Sequence, residues 1–233
     1  MQRRIVLFDE LRGFTMISMA LFHASYDLAY IYGVSMPWFV QGMFQDIWRA
    51  SISWVFLWLA GWMCSCSHDN LRRSVKYALA ALLVWVATTI ASVDDSVNFG
   101  IIFCMAASTF LAAITMPLLR KMPPGISILV CLLLFALFWP VPKSTYDISG
   151  LAWLGLPGPG FVSGDYYPLV PFFFMYLVGY FSSRFVISHH ALPEWIYKEH
   201  IAPLACLGRH ALPFYLLHQP IILIVLEMFY SVL

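Results

Sequence analysis

The sequence predicts an all-α, polytopic membrane bundle of about seven transmembrane helices with a cytoplasmic N-terminus, the whole of residues 1–233 forming one integral-membrane domain. Hydrophobic residues make up 61% of the chain and charged residues 11%, where soluble domains are about half apolar and a quarter charged. Apolar runs of about 18 residues or more, long enough to cross roughly 30 Å of hydrocarbon, recur along its whole length. The basic residues also segregate. Arg3 and Arg4 precede the first span, Arg72, Arg73 and Lys76 follow the second, Arg120 and Lys121 follow the fourth, and Arg184, Lys198 and Arg209 lie between the last two. If the spans alternate, all of these fall on one side, which the positive-inside bias makes the cytoplasm.

The spans are expected at residues 10–31, 48–66, 74–92, 98–118, 125–142, 168–187 and 210–231. The first is too long in its apolar part, and lacks the small-residue cleavage site, to be a removed signal peptide. Two connecting segments have enough length for structure of their own. Residues 143–167 combine Gly, Pro, Ser and aromatics, as a loop over the bundle mouth would, and read equally as an acceptor lid or as a connector whose aromatics rest in the interface. Residues 188–208 suit a short amphipathic helix on the membrane surface, with His189, His190 and His200 as solvent-side residues rather than metal ligands. The five cysteines sit in or beside spans with no CxxC spacing, so neither a disulfide framework nor a metal site is expected.

Against this apolar background the ionisable residues within spans stand out, because charge at bilayer depth is costly and marks function by default. His23 lies eleven residues beyond Arg12, or about 16 Å along a helix, and His218 lies nine beyond Arg209, or about 13 Å. Two outward-running helices thus bring a histidine to similar depth. Asp27 follows His23 by four residues, a spacing that stacks both on one helix face and lets a carboxylate orient an imidazole as a general base. A histidine satisfied within its helix, with Asp27 at the water interface, fits the same spacing. Gln219 beside His218 offers a hydrogen-bonding amide. Arg12 stands three residues from Asp9, close enough for a local ion pair, and its guanidinium equally suits bidentate contact with a phosphorylated donor.

The stretches "RRIVLFDELRGFTMISMALFHASYD", "SWVFLWLAGWMCS", "NFGIIFCMAAS", "DYYPLVPFFFMYLVGYF" and "LGRHALPFYLLHQPI", in that order, resemble the bacterial heparan-α-glucosaminide N-acetyltransferase-like family of transmembrane acyltransferases. The resemblance implies an enzyme of the bacterial cytoplasmic membrane that takes an acetyl group from cytoplasmic acetyl-CoA, with no metal, and gives it to an amino-sugar or hydroxyl acceptor on the far side, N-acetyl transfer being favoured. It matches Asp9, Arg12 and Gly13 to the opening motif, His23 to the intramembrane catalytic position, Asp165 to the "DYYP" motif, and His218 with Gln219 to the terminal motif. The lysosomal relatives carry Asn where this chain has His23, and a further His where it has Val34 and Ser35, so direct transfer is the simpler route here. The expected catalytic set is therefore His23, Asp27, His218 and Gln219, with His23 as base and His218 or Gln219 at the oxyanion. Asp9, Arg12, Arg72, Arg73 and Arg209 are expected at the acetyl-CoA site, and Asp165 with Tyr166 at the acceptor. A glycan acceptor, membrane lipid and a second copy of the chain are the further partners considered. The rival function is a proton-coupled transporter using His23, Asp27 and His218 as a relay.

Overall fold

The computed structural model describes residues 4–189 and 192–230, except for the side chain of His189; Arg3 and His190 lie outside the described residues. Every regular element among these residues is helical. The chain forms α1 (Val6–Tyr26), a π-helical turn (Asp27–Ile31), α2 (Pro37–Val40), α3 (Phe44–Cys66), α4 (Asn70–Ala91), α5 (Ile101–Ile114), α6 (Met116–Leu119), α7 (Pro124–Phe138), α8 (Leu169–His189), α9 (Ala202–Arg209) and α10 (Ala211–Tyr230), with short 3₁₀ turns between. Four segments are long and apolar enough to cross a membrane: Asn70–Ala91, Pro124–Lys143, Leu169–Ser188 and Ala211–Tyr230. The other three expected spans fall on α1, α3 and α5, of 21, 23 and 14 residues. Of these, α1 opens with Asp9, Glu10 and Arg12, and α5 is short.

Local chemistry sets several helix ends. Asp69 caps α4 by accepting the Arg72 backbone N–H at 2.9 Å, which satisfies one of the four donors a helix start leaves open. Pro124 begins α7, where its missing N–H costs nothing.

The chain divides into two compact units, and the division falls within α3. The first comprises Met1–Phe56 and Pro193–Leu233, so that the two chain ends build one body. In it α1 packs against α9 and α10. Its apolar core is Met16, Met19, Phe22, Phe39, Ile52 and Phe56, and Trp48 Nε1 donates to Ser18 Oγ across it at 2.8 Å. The α1–α9 crossing is close enough to require glycine. A Cβ on Gly208 would lie 1.8 Å from the Asp9 carbonyl oxygen, and one on Gly13 would lie 2.1 Å from that of Leu204. Glu10, 5% exposed, accepts the backbone N–H groups of His200 and Ile201 at 2.5 and 2.8 Å. Residues 188–208 therefore do not form one surface helix. Pro193 and Pro203 interrupt the segment, and its last part, α9, is held against α1 by the Glu10 carboxylate.

The second unit, Leu57–Leu192, packs α4 on α5, α5 on α8 and α7 on α8. Its interior is rich in aromatics, with Tyr176, Tyr180 and Phe181 at most 1% exposed. Tyr176 donates its hydroxyl to Thr109 Oγ1 at 3.0 Å, so the buried phenol is satisfied. Arg184 donates to the carbonyl oxygens of Leu119, Arg120 and Met122 and thereby closes the open end of α6.

Candidate active site

The first unit holds the histidine pair. His23 stands in the last turn of α1, and directly after it the chain widens into the π turn, where the Tyr32 N–H bonds to the Asp27 carbonyl five residues back at 3.0 Å. Insertions of this kind shift the side-chain register and recur at functional sites. Opposite runs α10, carrying His218 with Pro220 inside the helix. The imidazole rings of His23 and His218 lie 5.0 Å apart between centroids, tilted by 60°, and Phe22 and Phe214 flank them.

The carboxylate of Asp27, 1% exposed, is gripped by Gln219, whose Nε2 donates to both oxygens at 3.1 and 2.9 Å. Spacing alone pairs Asp27 with His23 one turn back. In the structure the ring of His23 meets the rings of Phe22 and His218 instead, and Asp27, at the start of the widened turn, reaches across to α10.

Hydrogen-bond chemistry fixes the orientation of both α10 side chains. His218 Nδ1 lies 2.6 Å from the carbonyl oxygen of Tyr215. A carbonyl only accepts, so Nδ1 carries the proton and Nε2 presents a lone pair. That Nε2 is buried and has no partner among the described residues. A carboxylate likewise only accepts, so the amide nitrogen of Gln219 faces Asp27 and its Oε1 faces away; Oε1 too is buried without a partner. Two acceptors on consecutive residues of α10 are thus left unsatisfied inside the protein, where such groups normally find partners. The carbonyl of Tyr215 escapes a reading of residue types because its part is played by backbone.

The expected donor-site residues divide between the units. In the first, Asp9, 4% exposed, pairs with Arg4 Nε at 2.6 Å and with Arg12 Nη1 at 3.0 Å. Arg12 Nη1 also reaches the Gly208 carbonyl at 3.1 Å. This cluster fastens the start of α1 to the end of α9, while the Nη2 and Nε edge of Arg12 makes no hydrogen bond among the described residues. Arg209 pairs with Glu199 at 3.4 Å. In the second unit Arg73 donates to Asn70 Oδ1 at 3.1 Å and lies over the Tyr77 ring, and Arg72 takes part through the capped N–H already described.

Asp165 and Tyr166, expected at the acceptor, organise the loop between α7 and α8. Asp165 Oδ2 accepts the Ile101 N–H at 3.1 Å and so caps α5. Ser163 Oγ bridges the strand of loop before α5, accepting from Asn98 N–H and donating to its carbonyl at 2.9 and 2.8 Å. Tyr166 donates its hydroxyl to the Ala152 carbonyl at 2.7 Å and packs on Phe161. Burial pushes its phenol up to about 12, so it stays a neutral donor.

The family model described as "Heparan-alpha-glucosaminide N-acetyltransferase, catalytic" matches residues 4–220, and the chain belongs to that family. No curated protein and no solved structure matches it.

Proposed function

We propose that this membrane acetyltransferase carries the acetyl group of cytoplasmic acetyl-CoA directly to the amine of an amino sugar on the extracytoplasmic side, at the His23–His218 pair. The observation that carries this reading is the buried, unpartnered Nε2 of His218, with its tautomer set by the Tyr215 carbonyl. A lone pair so held is a general base in waiting, a device that contributes about 10²- to 10⁴-fold. The same observation moves the base from His23, which sequence favours, to His218.

In the proposed reaction the acceptor nitrogen attacks the thioester carbonyl carbon, and His218 Nε2 takes the proton that the nitrogen loses. The carbon–sulfur bond then breaks, and the departing thiolate receives that proton. His23, in ring contact with His218, donates to the oxyanion of the tetrahedral intermediate. Gln219 Oε1 accepts a second N–H of the amine, and Asp27 acts as a positioning residue for the Gln219 amide. The description of the family, an N-acetyltransferase, supports N- over O-acetylation.

The segregation of the basic residues supports a cytoplasmic N-terminus, and the resemblance to the acetyltransferase family supports a cytoplasmic donor. Arg12, through its open edge, and Arg209 are assigned to the phosphates of acetyl-CoA, with Asp9 orienting Arg12; the positive-inside bias supports Arg72 and Arg73 as further cytoplasmic charge. Asp165 and Tyr166 act on the acceptor through the loop they hold.

The test uses the full chain in sealed vesicles, with labelled acetyl-CoA on one side and a glucosamine-terminated oligosaccharide on the other. Label is expected in the oligosaccharide as an amide that resists hydroxylamine. Label released by hydroxylamine would show O-acetylation, and proton flux coupled to solute movement without acetyl transfer would replace the enzyme by a transporter.

A further inference from the structure

The loop between α7 and α8 encloses, with the residues before α5, a cleft of about 310 Å³ lined by Phe99, Ser149, Gly150, Ala152, Gly160 and Phe161 among others. That volume is at the lower end of the range small-molecule sites occupy, about 300 to 1,000 Å³. The rings of Phe99 and Phe161 are nearly parallel, 20° apart with centroids at 6.2 Å, and both are half-buried, so each presents part of its surface. Phe99 has a φ of +59°, a left-handed conformation uncommon for an aromatic residue. It is held there because Tyr167 N–H bonds to its carbonyl at 2.9 Å, while Tyr166 packs on Phe161 at 4.9 Å and ties the loop to Ala152.

Three glycines, Gly150, Gly158 and Gly160, supply much of the rest of the lining, beside Ser149, Ala152 and Pro159. Gly150 and Gly160 have φ of +85° and +75°, and a Cβ at either would meet nothing within 4 Å, so it is the missing side chains that keep the space open. Neither these two glycines nor Ser149 make a backbone hydrogen bond among the described residues. The Ser149 hydroxyl adds a further donor and acceptor. No charged side chain lines the cleft. Aromatic faces, open backbone groups, one hydroxyl and no charge suit a polyhydroxylated neutral ring; they do not suit a phosphate or an ammonium group.

We propose that this cleft is a docking site for a neutral sugar ring. Stacking on Phe161 and Phe99 supplies the affinity, the open backbone groups around Gly150 and Gly160 receive the hydroxyls, and Tyr166 is the positioning residue behind Phe161.

The experiment is saturation-transfer NMR on the full chain in detergent, with the neutral disaccharide cellobiose as probe, alongside acetyl transfer to a glucosamine-terminated oligosaccharide. Phe161→Leu removes the aromatic face at similar volume, Phe161→Trp restores one, and Gly160→Asn places a side chain in the cleft using a residue that tolerates positive φ. Saturation of cellobiose is expected with the wild type and Phe161→Trp, and a fall of about fivefold or more with Phe161→Leu and Gly160→Asn at unchanged melting temperature. Absence of saturation in the wild type, or its persistence in both Phe161→Leu and Gly160→Asn, overturns the subsite, even where acetyl transfer proceeds. Cleft-dependent saturation in a protein that acetylates no amino sugar upholds the subsite and overturns the proposed reaction.

Discussion

The amide nitrogen of Gln219 straddles the carboxylate of Asp27, at 3.1 and 2.9 Å from its two oxygens, and so decides that the amide oxygen is the end directed away from Asp27. Asp27→Asn removes that decision, because an amide opposite Gln219 accepts as readily as it donates. Transfer to an amine acceptor is expected to fall about tenfold or more. The exchanged pair Asp27→Asn with Gln219→Glu rebuilds an amide–carboxylate contact and leaves an oxygen directed away from residue 27. Recovery in the double variant, read as a coupling of about 0.5 to 3 kcal/mol in a double-mutant cycle, is the expected result. Simple addition of the two losses would show that the contact does not set the site.

His218→Asn keeps a donor near the place of Nδ1, opposite the Tyr215 carbonyl, and deletes Nε2. Turnover is expected to drop by about 10²-fold or more with acetyl-CoA affinity and thermal stability retained. His23→Gln, which preserves a donor but no imidazole, is expected to fall less. If His23→Gln is the more severe of the two, the base is His23 and the roles exchange.

Residue counting from Arg12 and Arg209 brings His23 and His218 to similar depth, and their rings do lie 5.0 Å apart. This much is legible because a helix converts sequence separation into distance at a fixed rate. The partner of Asp27 is not legible, because the regular turn that would stack it on His23 gives way to a wider one at Asp27–Ile31, and helix periodicity carries no sign of the change. Nor does sequence distinguish the two uses of Asp165: the resemblance, through the "DYYP" motif, implies an acceptor contact, while its carboxylate caps α5. The helical class is written in composition, whereas α1 as a span is obscured by Asp9, Glu10 and Arg12, whose charges are answered by α9 and its flanks far along the chain.

Arg12→Lys retains a cation for Asp9 but loses the second edge of the guanidinium. The expected outcome is a rise in KM for acetyl-CoA of about tenfold with little change in kcat, since a contact made equally in ground and transition states is lost. An unchanged KM would leave Arg12 as a fastening between α1 and α9 alone.

Gly208→Ala tests that fastening directly. Its Cβ would fall 1.8 Å from the Asp9 carbonyl oxygen, so the two helices must separate, at a cost of about 1 to 3 kcal/mol or more. A lower melting temperature in detergent is expected, and an unaltered one would mean that the crossing is looser than described.

Tyr166, pushed up to about 12 by burial first and by Tyr146 second, binds its proton more tightly in the folded state than an unfolded tyrosine near 10. Its contribution to stability is therefore complete below about pH 10 and is lost as the pH rises through about 12. Absorbance titration should show one fewer late-ionising tyrosine in Tyr166→Phe than in the wild type.

Glu10 is joined to residues 200 and 201 across nearly the whole chain, and this gives the protein a calendar as well as a shape. The helix bearing Glu10 leaves the ribosome 190 residues ahead of the first of the N–H groups that answer its carboxylate. Throughout the intervening synthesis Glu10 lacks those two partners, so the contact between α1 and the segment leading into α9 closes only after residues 200 and 201 have been made. A contact of such long range is slow to form. A nascent chain stalled before residue 200 should leave α1 readily extracted or protease-sensitive, while helices 4 to 8, whose partners are all made in between, are already assembled.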